Sequence, residues 1–181
     1  LAHSPGLYGA LAERGFRYDT SGTMPAKTWP EKRDGVWRFN LAEIKLAGSG
    51  RATLSMDYNF LVAQSGTAPI ASRRAQFRQQ MLDSYLSYFR ANYTGNRAPI
   101  HIGHHFTDYQ NGAYREALKS FARMVCGLPE VRCVTYRTLA DYMDSLKPEM
   151  LSAYRKGDFP RASEPVFAGV AATAETSGAG Q

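Results

Sequence analysis

The chain has 181 residues, 44% hydrophobic and 12% aromatic, which suits one packed domain and excludes a disordered polymer. Its 22 Lys and Arg exceed its 16 Asp and Glu, giving +6, but the basic residues are scattered and the densest group is only Arg73, Arg74 and Arg78, so nucleic acid is not an expected partner. No stretch approaches the ~20 apolar residues of a membrane span. The first residues also lack the methionine and the basic-then-apolar order of a signal peptide, so the chain is expected to begin at an internal point of a gene product.

In chain order, residues 4–14 read as a short helix with Leu7, Tyr8 and Leu11 on one side, stopped by Gly15. A strand-like Phe16 to Asp19 follows, then a Gly-, Pro- and Thr-rich surface excursion over 20–35 that carries Met24 and Trp29. Residues 36–46 alternate loosely as a strand. Residues 53–60 alternate strictly, placing Thr53, Ser55, Asp57 and Asn59 on one face and Leu54, Met56, Tyr58 and Phe60 on the other. That pattern puts Asp57 on a polar face near the end of a strand.

The longest helix is predicted over 72–92, with Phe77, Met81, Tyr85, Tyr88, Phe89 and Asn92 at three- and four-residue spacings and Gly95 past its end. A strand over 99–105 and a helix over 111–125, with Tyr114, Ala117, Leu118, Phe121 and Val125 inward, come next. Residues 131–135 read as another strand, and Thr138 opens a further helix through Thr138-x-x-Asp141. The alternation argues for an α/β layer or barrel with active groups at the carboxyl ends of strands. The tail from 161 onward is rich in Ala, Gly, Ser and Thr and is expected to be disordered, leaving 1–160 as the structured portion. Cys126 and Cys133, the only two cysteines, flank a short connection. A bridge there would contribute about 2–3 kcal/mol and suit an oxidising compartment, two reduced packing thiols being the alternative.

Three of the four histidines fall between 101 and 105. On a strand, Ile100, Ile102, His104 and Phe106 share one face, and His101, Gly103 and His105 the other. His104 therefore follows two isoleucines inward. His101 and His105 would be ~13 Å apart at ~3.3 Å per residue, too far for one ion to bridge, so a metal site made of these histidines alone is not expected. Structural, hydrogen-bonded histidines are the alternative to a chemical role.

Three stretches in order give the chain a family resemblance: Ala10 to Ser21, then Met56-Asp57-Tyr58-Asn59-Phe60, then Ile102-Gly103-His104, with Val134 to Leu139 closing the series. Together they resemble the polysaccharide deacetylases, the carbohydrate esterase family of chitin and peptidoglycan deacetylases, over most of residues 1–147. The resemblance implies an α/β fold, the carboxyl-terminal part of a distorted (β/α) barrel, with residues 1–160 as a portion of the catalytic domain. It implies a hydrolase that removes acetyl groups from N-acetylated polysaccharides such as chitin or peptidoglycan. His104 would then be the general acid protonating the departing amine, and Asp57 the carboxylate that orients it and raises its pKa. Tyr58 and Phe60 would stand at the substrate-facing wall, where the family has a tryptophan.

The family's divalent metal, zinc foremost, is held by a Thr-Phe-Asp-Asp segment and a His-x-x-x-His pair. Neither stands at a matching place in this sequence, where the only such histidine spacing, His101 to His105, falls on the expected strand, and the Arg-x-Pro-Tyr arginine is absent too. The expectation is that these motifs lie before Leu1, that no metal is held by this chain, and that the isolated chain is an inactive monomer. A secreted or periplasmic location follows from the family and the possible disulfide. The alternatives are a non-catalytic carbohydrate-binding or scaffold protein, with Trp29, Trp37 and Tyr109 free to stack on sugars, and a hydrolase of a different amide or ester.

Overall fold

Aromatic and aliphatic side chains at helical spacing decide the centre of the molecule. In the computed structural model, which describes residues 6–160, Arg74–Tyr93 form a 20-residue helix. It buries Phe77, Met81, Tyr85, Tyr88, Phe89 and Asn92, the stripe expected from the sequence. Ala113–Val125 form a second helix that buries Tyr114, Ala117, Phe121 and Val125 against it. Phe121 meets Tyr85 and Phe89 edge-on, with centroids 5.7 and 6.1 Å apart, a favoured aromatic arrangement.

The elements in order are α1 (Leu7–Glu13), β1 (Tyr18–Asp19), β2 (Thr23–Pro25), β3 (Glu31–Arg33), β4 (Val36–Arg38), β5 (Leu41–Lys45), β6 (Ala52–Leu54) and α2 (Asp57–Ser65). A 3₁₀ turn at Ala71–Arg73 leads into α3 (Arg74–Tyr93), followed by α4 (Ala113–Val125), α5 (Tyr136–Ser145) and α6 (Pro148–Lys156). The fold is mixed α/β. The strands form two small sheets, ordered β1-β4-β3 and β2-β5-β6, each with one parallel and one antiparallel pair. No complete barrel is formed by the described residues.

Within the second sheet, β5 buries Ala42 and Ile44 and exposes Glu43 and Lys45, so one face packs onto α3. The first sheet covers a separate core in which Trp29, Trp37, Phe39, Ala98, Ala140 and Met143 are buried. The single strand expected over 36–46 is therefore two strands in different sheets. The excursion over 20–35 is built rather than loose, with β2, β3 and a buried Trp29.

Two further expectations change. Strand structure ends at Leu54, and Met56, still extended at φ −139° and ψ 137°, caps α2. Asp57, Phe60 and Leu61 are buried at i, i+3 and i+4, a helical period that the apparent alternation of 53–60 had concealed. Residues 99–105 run extended but pair only once, Gly103 bridging Met56 in parallel. Residues 131–135 form no strand and are mostly exposed. The cap of α5 is Thr135, whose side chain accepts from the Thr138 N–H at 3.3 Å, not Thr138 itself. Cys126 and Cys133 are disulfide-bonded, closing the connection between α4 and α5. No described helix is long and apolar enough to cross a membrane. The tail expected to be disordered lies outside the described residues.

Candidate active site

Gly103 sets the geometry of the site. A Cβ there would lie 3.2 Å from Leu41 Cδ2 and 3.3 Å from Met56 Cγ, so its lack of a side chain lets the 99–105 segment lie close on the end of β6. The Gly103 N–H donates to the Ser55 carbonyl at 2.9 Å, and its own carbonyl accepts from the Asp57 N–H at 3.1 Å. Buried Ser55 adds a second tie by donating its hydroxyl to the His101 carbonyl at 2.7 Å and accepting from the Ala42 N–H at 3.0 Å. These bonds place His104 and His105 directly over the first turn of α2.

Asp57 opens that turn and is 1% exposed. A carboxylate in the first turn is favoured by the positive end of the helix dipole. Both of its oxygens are engaged. Oδ2 accepts from the His105 backbone N–H at 2.8 Å, while Oδ1 lies 2.6 Å from His105 Nδ1 and accepts from the Tyr58 N–H at 2.7 Å. With the carboxylate as acceptor, Nδ1 is the donor of this bond and Nε2 is the ring nitrogen not facing Asp57. The His105 side chain is 50% exposed. Tyr58 and Tyr109 flank its ring edge-on, with centroids 6.4 and 6.0 Å away.

His104 faces inward, as the alternation with Ile100 and Ile102 implied, and its side chain is 13% exposed. Its Nε2 is 3.1 Å from the Tyr85 hydroxyl, and its Nδ1 is 3.8 Å from Asp57 Oδ2. Burial pushes the His104 imidazole below its ordinary value of 6.5; Asp57 pulls it up, and His105 pushes it down again. Desolvation thus works against the expected protonation of His104 by Asp57. Burial, reinforced by the Asp57 charge, raises the hydroxyls of Tyr85 and Tyr114 well above the ordinary tyrosine value, which keeps both as neutral donors.

The remaining sequence-derived positions divide. Tyr58 is half in solvent and borders His105. Phe60 is 0% exposed and packs edge-on against Tyr85 at 5.3 Å, so it supports the site from beneath instead of forming a wall. Phe106, expected inward with His104, is fully exposed because the chain bends immediately after His105. His101 is structural, its Nδ1 lying 2.8 Å from the Phe39 carbonyl and its ring edge-on to Tyr136. Trp29 and Trp37 are buried, their indole N–H groups donating to the Asn96 carbonyl and to Asp144, which removes them as sugar-stacking surfaces.

Sequence reasoning passed over His105 and Tyr85. Strict alternation turned His105 away from Asp57, and Tyr85 was absorbed into the aromatic stripe of α3. Two adjacent histidines at the point where an extended segment ends were the available signal, since a bend there can bring both to one carboxylate. Among the described residues, no group of three His, Cys, Asp or Glu side chains is placed to hold a metal ion. The described residues alone therefore do not form a site for the divalent metal that the resemblance implies. Comparison with family models, with curated proteins and with solved structures finds no match to this chain.

Proposed function

We propose that this chain is part of a polysaccharide N-deacetylase and supplies its proton-transfer centre, in which Asp57 serves the His104–His105 pair and His105 is the ring that meets the substrate. The observation that carries the proposal is the buried Asp57 carboxylate, 2.6 Å from Nδ1 of a half-exposed imidazole. Amide hydrolysis needs a proton on the departing nitrogen as the C–N bond breaks, because an amide anion is too poor a leaving group. A protonated His105 Nε2 would deliver it, and Asp57 would stabilise the imidazolium before transfer and fix its orientation. His104, kept neutral by burial and tied to Tyr85, would pack beside Asp57, its Nδ1 3.8 Å from Oδ2. The exposed edge of Tyr58 would border the substrate.

In the complete domain, part of a distorted barrel by this reading, the residues that hold the divalent metal would belong to sequence other than these 181 residues. The disulfide is compatible with a secreted or periplasmic setting, where chitin and peptidoglycan are met. Acetate release from N-acetylated oligosaccharides by the complete domain tests the reading. His105→Gln should reduce kcat by ~10²–10⁴, and His104→Gln should reduce it less.

A further inference from the structure

Tyr85 carries a hydroxyl into the core between α3 and α4. The residue is 0% exposed, and its ring is held edge-on by Phe60 at 5.3 Å and by Phe121 at 5.7 Å. A phenol buried in this way keeps its hydrogen and has to place it on an acceptor. Among the described residues, the one group at hydrogen-bonding distance from the hydroxyl is His104 Nε2, at 3.1 Å.

Two arrangements satisfy that distance, and they differ in what they leave unpaired. If Nε2 carried a hydrogen, the Tyr85 oxygen would accept it, and the phenol hydrogen would have no partner at a buried position. If Nε2 carries none, Tyr85 donates to its lone pair and both groups are satisfied. The second arrangement puts the imidazole hydrogen on Nδ1, which lies 3.8 Å from Asp57 Oδ2. That separation is too long for a hydrogen bond, yet it sets the positive end of the N–H dipole near the carboxylate. Protonating His104 would bring back the first arrangement, because the added hydrogen would have to sit on Nε2. The titratable groups about His104 are Asp57 of α2, the adjacent His105 and Tyr85 itself, with Tyr114 of α4 acting on Tyr85 and Asp57. Of these, Tyr85 is the group hydrogen-bonded to the His104 ring.

We propose that Tyr85 is a positioning residue that locks His104 as the neutral Nδ1–H tautomer and so leaves proton transfer to His105. The assignment rests on the deacetylase reading for what the transferred proton does, but the tautomer itself needs no activity. Ring ¹⁵N NMR of the full 181-residue chain, labelled at histidine and with the His104 signals identified by their loss in His104→Gln, tests it. The expected spectrum at neutral pH has the His104 hydrogen on Nδ1. Tyr85→Phe keeps the ring and its edge contacts but removes the hydroxyl. His104 should then become a mixture of tautomers and titrate at higher pH than in the parent, since a hydrogen bond to the neutral form is lost. Tyr114→Phe removes a hydroxyl that is bonded to Gln64 and not to His104, and should leave the tautomer unchanged. A His104 hydrogen on Nε2 in the parent, an unchanged tautomer in Tyr85→Phe, or the same change in Tyr114→Phe overturns the lock. The expected spectra together with a complete domain that releases no acetate would uphold the lock while defeating the deacetylase reading.

Discussion

Asp57 and His105 are joined twice, through the His105 backbone N–H to Oδ2 at 2.8 Å and through Nδ1 to Oδ1 at 2.6 Å. The double attachment fixes the imidazole in position and direction, with the side chain half-exposed. Asp57→Asn keeps the shape but replaces one acceptor with a donor, so it should turn the ring to the wrong tautomer and lower turnover far more than substrate affinity. Asp57→Ala should in addition lower stability by about 1–3 kcal/mol, because it strands donors at a buried position. Steady-state kinetics and urea unfolding check the two parts. An unchanged rate and pH profile in either variant would refute the assigned pair.

Gly103 bears on the same geometry from the other side. Its neighbours at 3.2 and 3.3 Å are side-chain atoms of Leu41 and Met56, which can shift by the few tenths of an ångström that Gly103→Ala requires. Gly103→Val cannot be accommodated in that way. It should cost about 1–3 kcal/mol by overpacking and break the Gly103–Asp57 bond that seats α2 under the histidines. Unfolding midpoints of the two variants, with the alanine variant near the parent, provide the check.

The site was only partly legible in the sequence, and the reasons are physical. Helices α3 and α4 could be read because their buried residues recur at helical spacing over many turns. Asp57 stands out in the sequence as a candidate but on a strand, because residues 53–60 satisfy a period of two as well as the start of a period of 3.6. The sheets escaped prediction because Phe39 and Asn40 carry the chain from one sheet to the other without a glycine or proline to mark the break. His105 was turned outward by an alternation rule that fails where the extended segment ends.

Burial of two histidines gives the fold a pH dependence of defined sign. Desolvation pushes both His101 and His104 below 6.5, against the Phe39 and Asn40 carbonyls in the first case and Asp57 in the second. Between 6.5 and the lower folded values, the unfolded chain binds more protons. Stability is therefore fully present above that window and falls as the pH drops through it. His101→Gln and His104→Gln should each flatten the decline in unfolding midpoint between about pH 7 and pH 5. A parent protein equally stable at both values would contradict the burial argument.

A second, acid-side dependence belongs to Asp144. Burial raises its carboxyl, but hydrogen bonds from Lys32, Arg17 and Trp37 outweigh this and bring it to about 2. A depressed carboxylate contributes stability above its unfolded value of 3.8 and loses it as the pH falls toward 2. The group is partly exposed, so salt should weaken the effect. Asp144→Asn should remove both the acid-side slope and its salt dependence in unfolding experiments, and a slope that persists in this variant would point to other carboxylates.

The Cys126–Cys133 bridge closes a short loop between α4 and α5. Its reduction should lower stability by about 2–3 kcal/mol while leaving the Asp57–His105 geometry intact, since neither cysteine touches the site. Urea midpoints with and without reductant measure this, and identical midpoints would mean that the bridge does not constrain the chain.

Under the proposed function, His105, held by Asp57, is the group that transfers the proton. Measuring kcat and KM for acetate release from an N-acetylglucosamine oligomer by the complete domain, for His105→Gln beside His104→Gln, tests it most directly. The account predicts a fall of ~10²–10⁴ in kcat with KM little changed for His105→Gln, and a smaller fall for His104→Gln. Parent-like turnover in His105→Gln, with the full loss appearing in His104→Gln instead, would contradict it.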